Sequence, residues 1–244
     1  MLLDEEIAYY ELSAWLVKIK KNPNLWHRFS KGIQHKINDI IPDKVHQAVT
    51  FAIEKMVKGV LFGSAYANPQ LPADLPLAKR ELKIRDRVKW YQRTASVEGA
   101  VTGAGGILMG FADFPAFLAI KMKMLFEIAS MYGHDVKDFR ERIFMLHVFQ
   151  LAFSSQQKRQ EVIEIIENWE NAAKDLPVQG DSFDWKSFQI EYRDYMDLAK
   201  LAQLIPIIGA GVGAVANWQL SDHLADTAKY CYRLRYFHHK KAIE

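Results

Sequence analysis

Residues 99–115 read GAVTGAGGILMGFADFP, and this stretch decides how the rest of the chain is interpreted. It is rich in small residues and almost uncharged, and its one carboxylate, Asp113, lies two residues before Pro115. A second stretch, residues 205–218, has the same character and reads IPIIGAGVGAVANW. Both differ from the amphipathic sequence around them, so they are the first candidates for a special packing or functional role.

Three pairs of glycines in these stretches are spaced four residues apart. They are Gly99 and Gly103, Gly106 and Gly110, and Gly209 and Gly213. Residues four apart share a helix face, and glycine on that face lets another backbone approach closely. Each glycine inside a helix costs about 1 kcal/mol against alanine, so the packing must require them. We therefore expect the two stretches to cross at the centre of the fold. A lipid or ligand groove, or membrane insertion, remains the alternative.

The rest of the chain reads as amphipathic helices with no period-two strand pattern. The patterns predict helices from Asp4 to about residue 21 and at about 25–41, 42–61, 77–93, 115–132, 139–153, 156–174 and 185–204, with a long final helix. Pro115 is expected to start its helix, and Gly133 to cap that helix at its C-terminus. The fold class is therefore all-α, a single multi-helix domain in which residues 1–41 form N-terminal helices continuous with 42–244.

Composition excludes several classes of protein. Hydrophobic residues make up 50% of the 244 residues, enough for a substantial core and too many for a disordered chain. The formal charge of +3 is too weak to predict a nucleic-acid partner. Cys231 is the one cysteine, so no disulfide framework or cysteine-based zinc site forms within one chain. With no secretory signal visible, we expect a cytoplasmic protein.

Two windows approach the length of a membrane span, residues 97–120 and 201–220. Both are interrupted by proline and glycine, and the first also carries Glu98 and Asp113. We expect a buried central hairpin or a membrane-touching element, with a true span as the alternative.

A basic amphipathic helix is predicted just before the first glycine stretch. Its apolar line consists of Leu77, Ile84, Val88 and Tyr91. Its cations are Lys79, Lys83, Arg85, Arg87, Lys89 and Arg93. This pattern fits a solvated face, and it also fits contact with anionic lipid headgroups or an acidic partner.

Asp113 is the strongest candidate in the sequence for a residue with a chemical role. Just before the helix expected from Pro115, it suits an N-cap, and Asp135 suits the cap of the following helix. An isolated carboxylate in apolar surroundings could also bind a cation or serve a hydrolase, so Asp113 is a weak catalytic candidate. The histidines lack metal-binding spacing, and no phosphate loop, dinucleotide motif or serine elbow is present. We predict no metal and no cofactor.

Two ordered motifs resemble the signature of the EcsC protein family. The first runs from Gly99 to Pro115 and continues into residues 128–135, and the second spans residues 204–217. The candidate binding residues taken from these motifs are Gly99, Thr102, Gly103, Gly106, Gly110, Asp113, Tyr132, Asp135, Gly209, Gly213 and Asn217. The sequence departs from the family pattern at His134, where an aromatic residue is common, and at residues 221–223.

The resemblance implies a bacterial, mainly helical protein. The family is named after the third gene of an ABC-transporter operon, whose product is regarded as an accessory component. A looser similarity to the senescence domain of lipid-droplet-associated proteins points towards lipid. Neither resemblance supplies a catalytic residue.

These observations lead to a first hypothesis and two alternatives. The first is a non-enzymatic accessory protein, peripheral at the inner face of the plasma membrane, with a membrane surface or an ABC transporter as partner. The second is a protein that binds lipid or another hydrophobic ligand in an internal cavity between the two glycine stretches. The third is a hydrolase built around Asp113.

Overall fold

The computed structural model describes residues 2–20, 43–62, 70–102, 107–154, 156–177, 183–184, 186–188, 190, 192 and 210–243. The helices are α1 (Leu2–Lys20), α2 (Asp43–Phe62), α3 (Leu77–Thr102), α4 (Ile107–Tyr132), α5 (Phe139–Phe153), α6 (Gln156–Glu167), α7 (Trp169–Ala172) and α8 (Ala210–Ile243). No strand occurs in these ranges, so the all-α class is confirmed. The helix expected at 25–41 lies outside the described residues, as does most of the one at 185–204.

Helix α8 runs antiparallel to α3 and forms the most extensive helix contact of the described chain. Gln92 of α3 donates to Asp222 of α8, and Glu81 lies opposite Arg233 further along. If this register continues, Gly99 comes opposite Val215, two residues from Gly213. The crossing of the glycine stretches stays a prediction, because residues 103–106 and 205–209 lie outside the described part.

Helix α5 forms the centre of the core. Phe144, Met145, Leu146, Val148 and Phe149 are completely buried, although they point in all directions around the helix. A helix that is apolar nearly all round must be covered on every side. It is packed among α2, α4, α6 and α8.

Helix α3 buries its predicted apolar line of Leu77, Ile84, Val88 and Tyr91. It is longer than predicted and continues to Thr102. The sequence after Arg93 contains no proline, and Gly99 is tolerated inside the helix at a cost of about 1 kcal/mol.

Helix α4 begins at Ile107 and contains Pro115 in its interior. The prediction that Pro115 starts this helix and that Asp113 caps it is therefore wrong, because the Asp113 backbone is already helical. Proline inside a helix removes one hydrogen bond and crowds the preceding turn, at a cost of about 3 kcal/mol. The packing of α4 against α2 and α3 offsets this cost.

The turn after α4 confirms the predicted role of Gly133. Gly133 has a φ of 98°, which residues other than glycine rarely adopt. Its N–H donates to the Ser130 carbonyl at 3.0 Å. The N–H of His134 bonds to the Ala129 carbonyl at 3.1 Å, which completes a Schellman motif.

The cap of α5 is Asp138, so the assignment of this role to Asp135 is wrong. The Asp138 carboxylate accepts the N–H of Arg140 at 2.9 Å. Asp135 accepts the N–H of Lys137 at 2.9 Å and shapes the turn just before the cap. Both aspartates suit a cap by residue type, but the helix starts directly after the second.

The helix predicted at 156–174 is interrupted at Asn168, whose side-chain amide donates to the Glu164 carbonyl at 3.1 Å. As for membrane spans, the described helices include none with the length and apolar character needed to cross a bilayer.

Candidate functional site

The most distinctive cavity is a groove of about 520 Å³ between α1, α3 and α8, called here the α1 groove. Its apolar wall includes Ile7, Leu82 and Val88. Its charged residues are Asp4, Glu11, Glu81, Asp222, Asp226, Arg85, Lys229 and Arg233. Carboxylates outnumber cations, so the lining suits a ligand with an apolar body and a cationic or hydrogen-bond-donating end.

Arg233 lies at the floor of the α1 groove with only 7% of its side chain exposed. Its Nε and Nη2 each donate to one carboxylate oxygen of Glu81 at 2.6 Å, and its Nη1 donates to Glu11 at 2.6 Å. Burial lowers the pKa of Arg233, but the hydrogen bonds to Glu81 and Glu11 outweigh it and raise the pKa. One side chain of α8 thus joins α3 and α1.

Tyr132, one of the predicted binding residues, adds α4 to this network. Its hydroxyl donates to Glu81 at 2.9 Å, and its ring stacks on Tyr232 at 5.2 Å between centroids. Burial, reinforced by the Glu81 charge, raises the pKa of Tyr132. Tyr132 is therefore a neutral hydrogen-bond donor at the floor of the groove and no general base near pH 7.

A second buried carboxylate, Glu141 of α5, lies behind this floor. It accepts from the Tyr232 hydroxyl at 2.7 Å and from Arg235 at 2.6 Å, with Nδ1 of His134 at 3.6 Å. Burial lowers the pKa of His134, although the Glu141 charge opposes this effect. The His134 ring packs on Tyr232 at 5.1 Å, which explains how histidine fills a position suited to an aromatic residue.

Arg80 holds the proline-containing segment of residues 72–76, which directly precedes α3. It is buried, and it donates to the carbonyl of Met131 at 2.5 Å and to that of Pro72 at 2.8 Å. A cation at the last carbonyls of α4 also interacts favourably with the helix dipole.

The predicted basic helix carries most of its cations on an exposed face. We call this surface the α3 basic face, and it consists of Lys79, Lys83, Lys89 and Arg93 together with Leu82 and Trp90. Leu82 and Trp90 are 49% and 46% exposed, so apolar side chains lie among the cations. Arg85 is also exposed but lines the α1 groove.

Arg87 differs from the other predicted cations because it is paired within the protein. Its Nη2 donates to Glu127 of α4 at 3.0 Å, and its Nε also bonds to that carboxylate. The Tyr91 hydroxyl donates to Glu127 at 2.7 Å. Burial raises the pKa of Glu127, but the hydrogen bonds from Arg87 and Tyr91 outweigh it and lower the pKa.

Lys121 of α4 and Ser221 of α8 form a buried polar contact that no sequence pattern predicts. Nζ of Lys121 donates to Oγ of Ser221 at 2.5 Å, and both residues are at most 2% exposed. The Phe117 ring lies 4.7 Å from the ammonium group. This contact ties α4 to α8.

The remaining predicted site residues are distributed over several elements. Gly99 and Thr102 lie at the end of α3, Gly110 and Asp113 lie in α4, and Gly213 and Asn217 lie in α8. Gly103, Gly106 and Gly209 lie outside the described residues. Among the predicted residues whose side chains are described, Tyr132 reaches the α1 groove and Asp135 is exposed in the turn.

Sequence reasoning missed the roles of Glu81, Glu11 and Arg233. One signal for Glu81 was available, since it lies four residues after Leu77 and three before Ile84, on the apolar side of α3. A carboxylate in that position requires a buried partner. The partner itself is 152 residues away and could not be read from the pattern.

The side chains that the structure describes include no group of three or more histidine, cysteine or acidic residues able to hold a metal ion.

Comparison with known proteins gives two curated relatives. The model of the EcsC protein family matches residues 6–237. Protein EcsC of Bacillus subtilis (strain 168) is 43% identical over 235 residues, which cover 96% of this chain and 97% of that protein. Uncharacterized protein YdbA of the same strain is 24% identical over 245 residues, covering 92% and 90%. No solved structure matches.

Replacing Glu81 should destabilise the protein far more than replacing Glu11, although both bind Arg233. Glu81→Ala leaves a buried guanidinium without its bidentate partner, which should cost about 3–5 kcal/mol of unfolding free energy. The Glu11 side chain is 49% exposed, so Glu11→Ala should cost at most about 1 kcal/mol. Urea unfolding of both variants measures the difference. Equal losses would contradict the central place of Glu81.

Replacing His134 with phenylalanine should weaken the pH dependence of stability. Because burial holds the pKa of folded His134 below its ordinary value of 6.5, the unfolded chain binds the proton first as pH falls. His134 thus lowers the free energy of unfolding below about pH 6.5, and His134→Phe removes that contribution while keeping a ring against Tyr232. Urea unfolding above and below pH 6.5 measures the free energy of unfolding on both sides. This free energy should fall less on acidification in the variant than in the wild type. His147, whose pKa burial also lowers, leaves a residual slope. An unchanged slope would be the opposing result.

Proposed function

The chain belongs to the EcsC protein family, and from this premise we propose that it is a non-enzymatic accessory protein acting at the cytoplasmic face of the membrane. The observation that carries the proposal is the α3 basic face. Four cations lie on one side of α3 between residues 79 and 93, over roughly 20 Å of helix. They are well placed to contact several anionic headgroups at once.

The composition of the α3 basic face favours a lipid surface over plain solvent. Trp90 and Leu82 are exposed among the cations, and Asp86 is the acidic residue on this side. Aromatic and aliphatic side chains surrounded by lysine are typical of helices that lie in the plane of a membrane interface. Each lysine or arginine near an anionic surface contributes about 1 kcal/mol of binding free energy.

The buried polar groups support a non-enzymatic role. Glu81, Glu127 and Glu141 each bond to an arginine and a tyrosine, so their charges are used within the bundle. The hydrolase alternative loses the turn position that motivated it, because the Asp113 backbone lies inside α4.

The protein partner that we propose at this surface is an ABC transporter. This part of the proposal is based on the operon after which the family is named. The α3 basic face would place the protein at the membrane beside such a complex.

Lipid binding is the second candidate function, and the α1 groove favours it. Its volume of about 520 Å³, with Ile7 and Val88 beside the exposed carboxylates of Asp4 and Asp222, suits an amphipathic ligand with a cationic group. Native mass spectrometry of the freshly purified full chain should then reveal a bound lipid. A protein that is always ligand-free would exclude this candidate.

Neutralising two lysines of the α3 basic face should weaken binding to anionic vesicles. Lys83→Gln with Lys89→Gln removes two surface cations, which should lower the affinity about 30-fold at low salt. Co-sedimentation with phosphatidylglycerol vesicles measures the effect. Wild-type binding should weaken as salt rises, because these charges are exposed and screened.

The matched control is Lys137→Gln with Lys186→Gln, which removes the same charge from exposed sites on other elements. It should bind like the wild type. Equal losses of affinity in both double variants would show that binding depends only on net charge and not on the α3 basic face. No wild-type binding at low salt would exclude a peripheral membrane role.

A further inference from the structure

Helix α1 carries apolar side chains on both of its faces. Its inner face buries Ala8 and Leu12 against the bundle. On the opposite side, Ile7, Tyr10, Ala14 and Val17 repeat at intervals of three and four residues, and we call them the outer stripe. Ile7, Tyr10 and Val17 are 50%, 74% and 60% exposed, and Ala14 is also exposed. The face of a surface helix that points away from the core is ordinarily polar, so a repeating apolar stripe there is a candidate contact surface.

We propose that the outer stripe binds the outer stripe of a second copy of this chain, with the two α1 helices antiparallel about a two-fold axis. The spacing of the stripe repeats every seven residues, as in paired helices. In the antiparallel register, Ile7 faces Val17 of the second copy, and Tyr10 faces Ala14. Each large Tyr10 side chain thus packs against a small alanine, while Ile7 packs against Val17. The distance between the two helices can therefore be similar along the whole contact.

The charges beside the stripe select this orientation. Asp4 and Glu6 lie near its N-terminal end, and Lys18 and Lys20 lie near its C-terminal end. An antiparallel pair brings Glu6 to Lys20 of the second copy and Asp4 to Lys18, whereas a parallel pair brings like charges together. Lys20 also bonds to Glu167 of its own chain at 2.7 Å, so the new contact extends an existing pair.

Open grooves on both sides of the stripe leave room for a second helix. Ile7 lines the α1 groove, and Tyr10 lines a groove of about 510 Å³ with Glu6, Phe237 and Lys241. A helix of 19 residues is about 28 Å long, so a single helix pair lies at the small end of specific interfaces. The dimer should therefore form in a concentration-dependent manner.

A second copy fits the stripe better than a membrane does. An anionic bilayer favours helices with a basic border, as on α3, whereas the N-terminal half of this stripe is bordered by Asp4, Glu6 and Glu11. These carboxylates would be repelled from anionic lipid. The basic half of another α1 matches Asp4 and Glu6, and Glu11 is paired with Arg233 of its own chain.

Sedimentation equilibrium of the full chain tests the dimer. The mass should rise with protein concentration from 28.1 kDa towards twice that value. Tyr10→Glu and Val17→Glu should each keep the protein monomeric with unchanged circular dichroism, because both side chains are largely exposed. Phe51→Glu on α2, which is 53% exposed, is the matched control and should leave the dimer intact.

A charge swap tests the orientation. Glu6→Lys or Lys20→Glu alone places like charges together twice per dimer and should weaken association roughly tenfold. The double variant restores opposite charges in the antiparallel pair and should recover dimerisation. A chain that is monomeric at all concentrations overturns the proposal, and so does a double variant weaker than both single ones. Stripe variants that lose vesicle binding without any change in mass would assign the stripe to a membrane.

Discussion

The buried guanidinium of Arg233 is the constraint on which the arrangement of the helices around the α1 groove depends. An arginine removed from water must be paired, or it costs several kcal/mol. Here the pairing requires Glu81 of α3 and Glu11 of α1, and Tyr132 of α4 completes the coordination of Glu81. Four helices thus meet in one network of four side chains, which fixes their positions relative to one another. Such pairs specify geometry more reliably than they add net stability.

The same arrangement recurs at other helix contacts. Glu127 takes bonds from Arg87 and Tyr91, and Glu141 takes bonds from Arg235 and Tyr232. In each case a carboxylate is shared by a guanidinium and a phenol, which satisfies it without water. Carboxylates used in this way are poor general acids or bases. Among the described residues, the surfaces proposed for function are the α3 basic face, the α1 groove and the outer stripe.

Sequence patterns predicted correctly those features that depend on residues close together in the chain. The apolar line Leu77–Ile84–Val88–Tyr91 defined the buried side of α3, and Gly133 ended α4 because the turn needs a positive φ. Pro115 misled the prediction, because tertiary packing carries a helix through a residue that usually begins one.

The floor of the groove could not be predicted, since Glu81 and Arg233 are 152 residues apart and only the fold brings them together. The crossing of the glycine stretches stays a prediction.

Amide hydrogen exchange of Arg233→Met in the full chain tests the central claim most directly. Methionine keeps an apolar side chain of similar length at this position but releases Glu81 and Glu11. If Arg233 fixes α1 to the bundle, the amides of α1 should lose more protection than those of α5, which share only the lower free energy of global unfolding. Unchanged protection of α1 would contradict the account. So would an equal loss in α1 and α5, since the guanidinium would then support global stability alone and not the placement of α1 in particular.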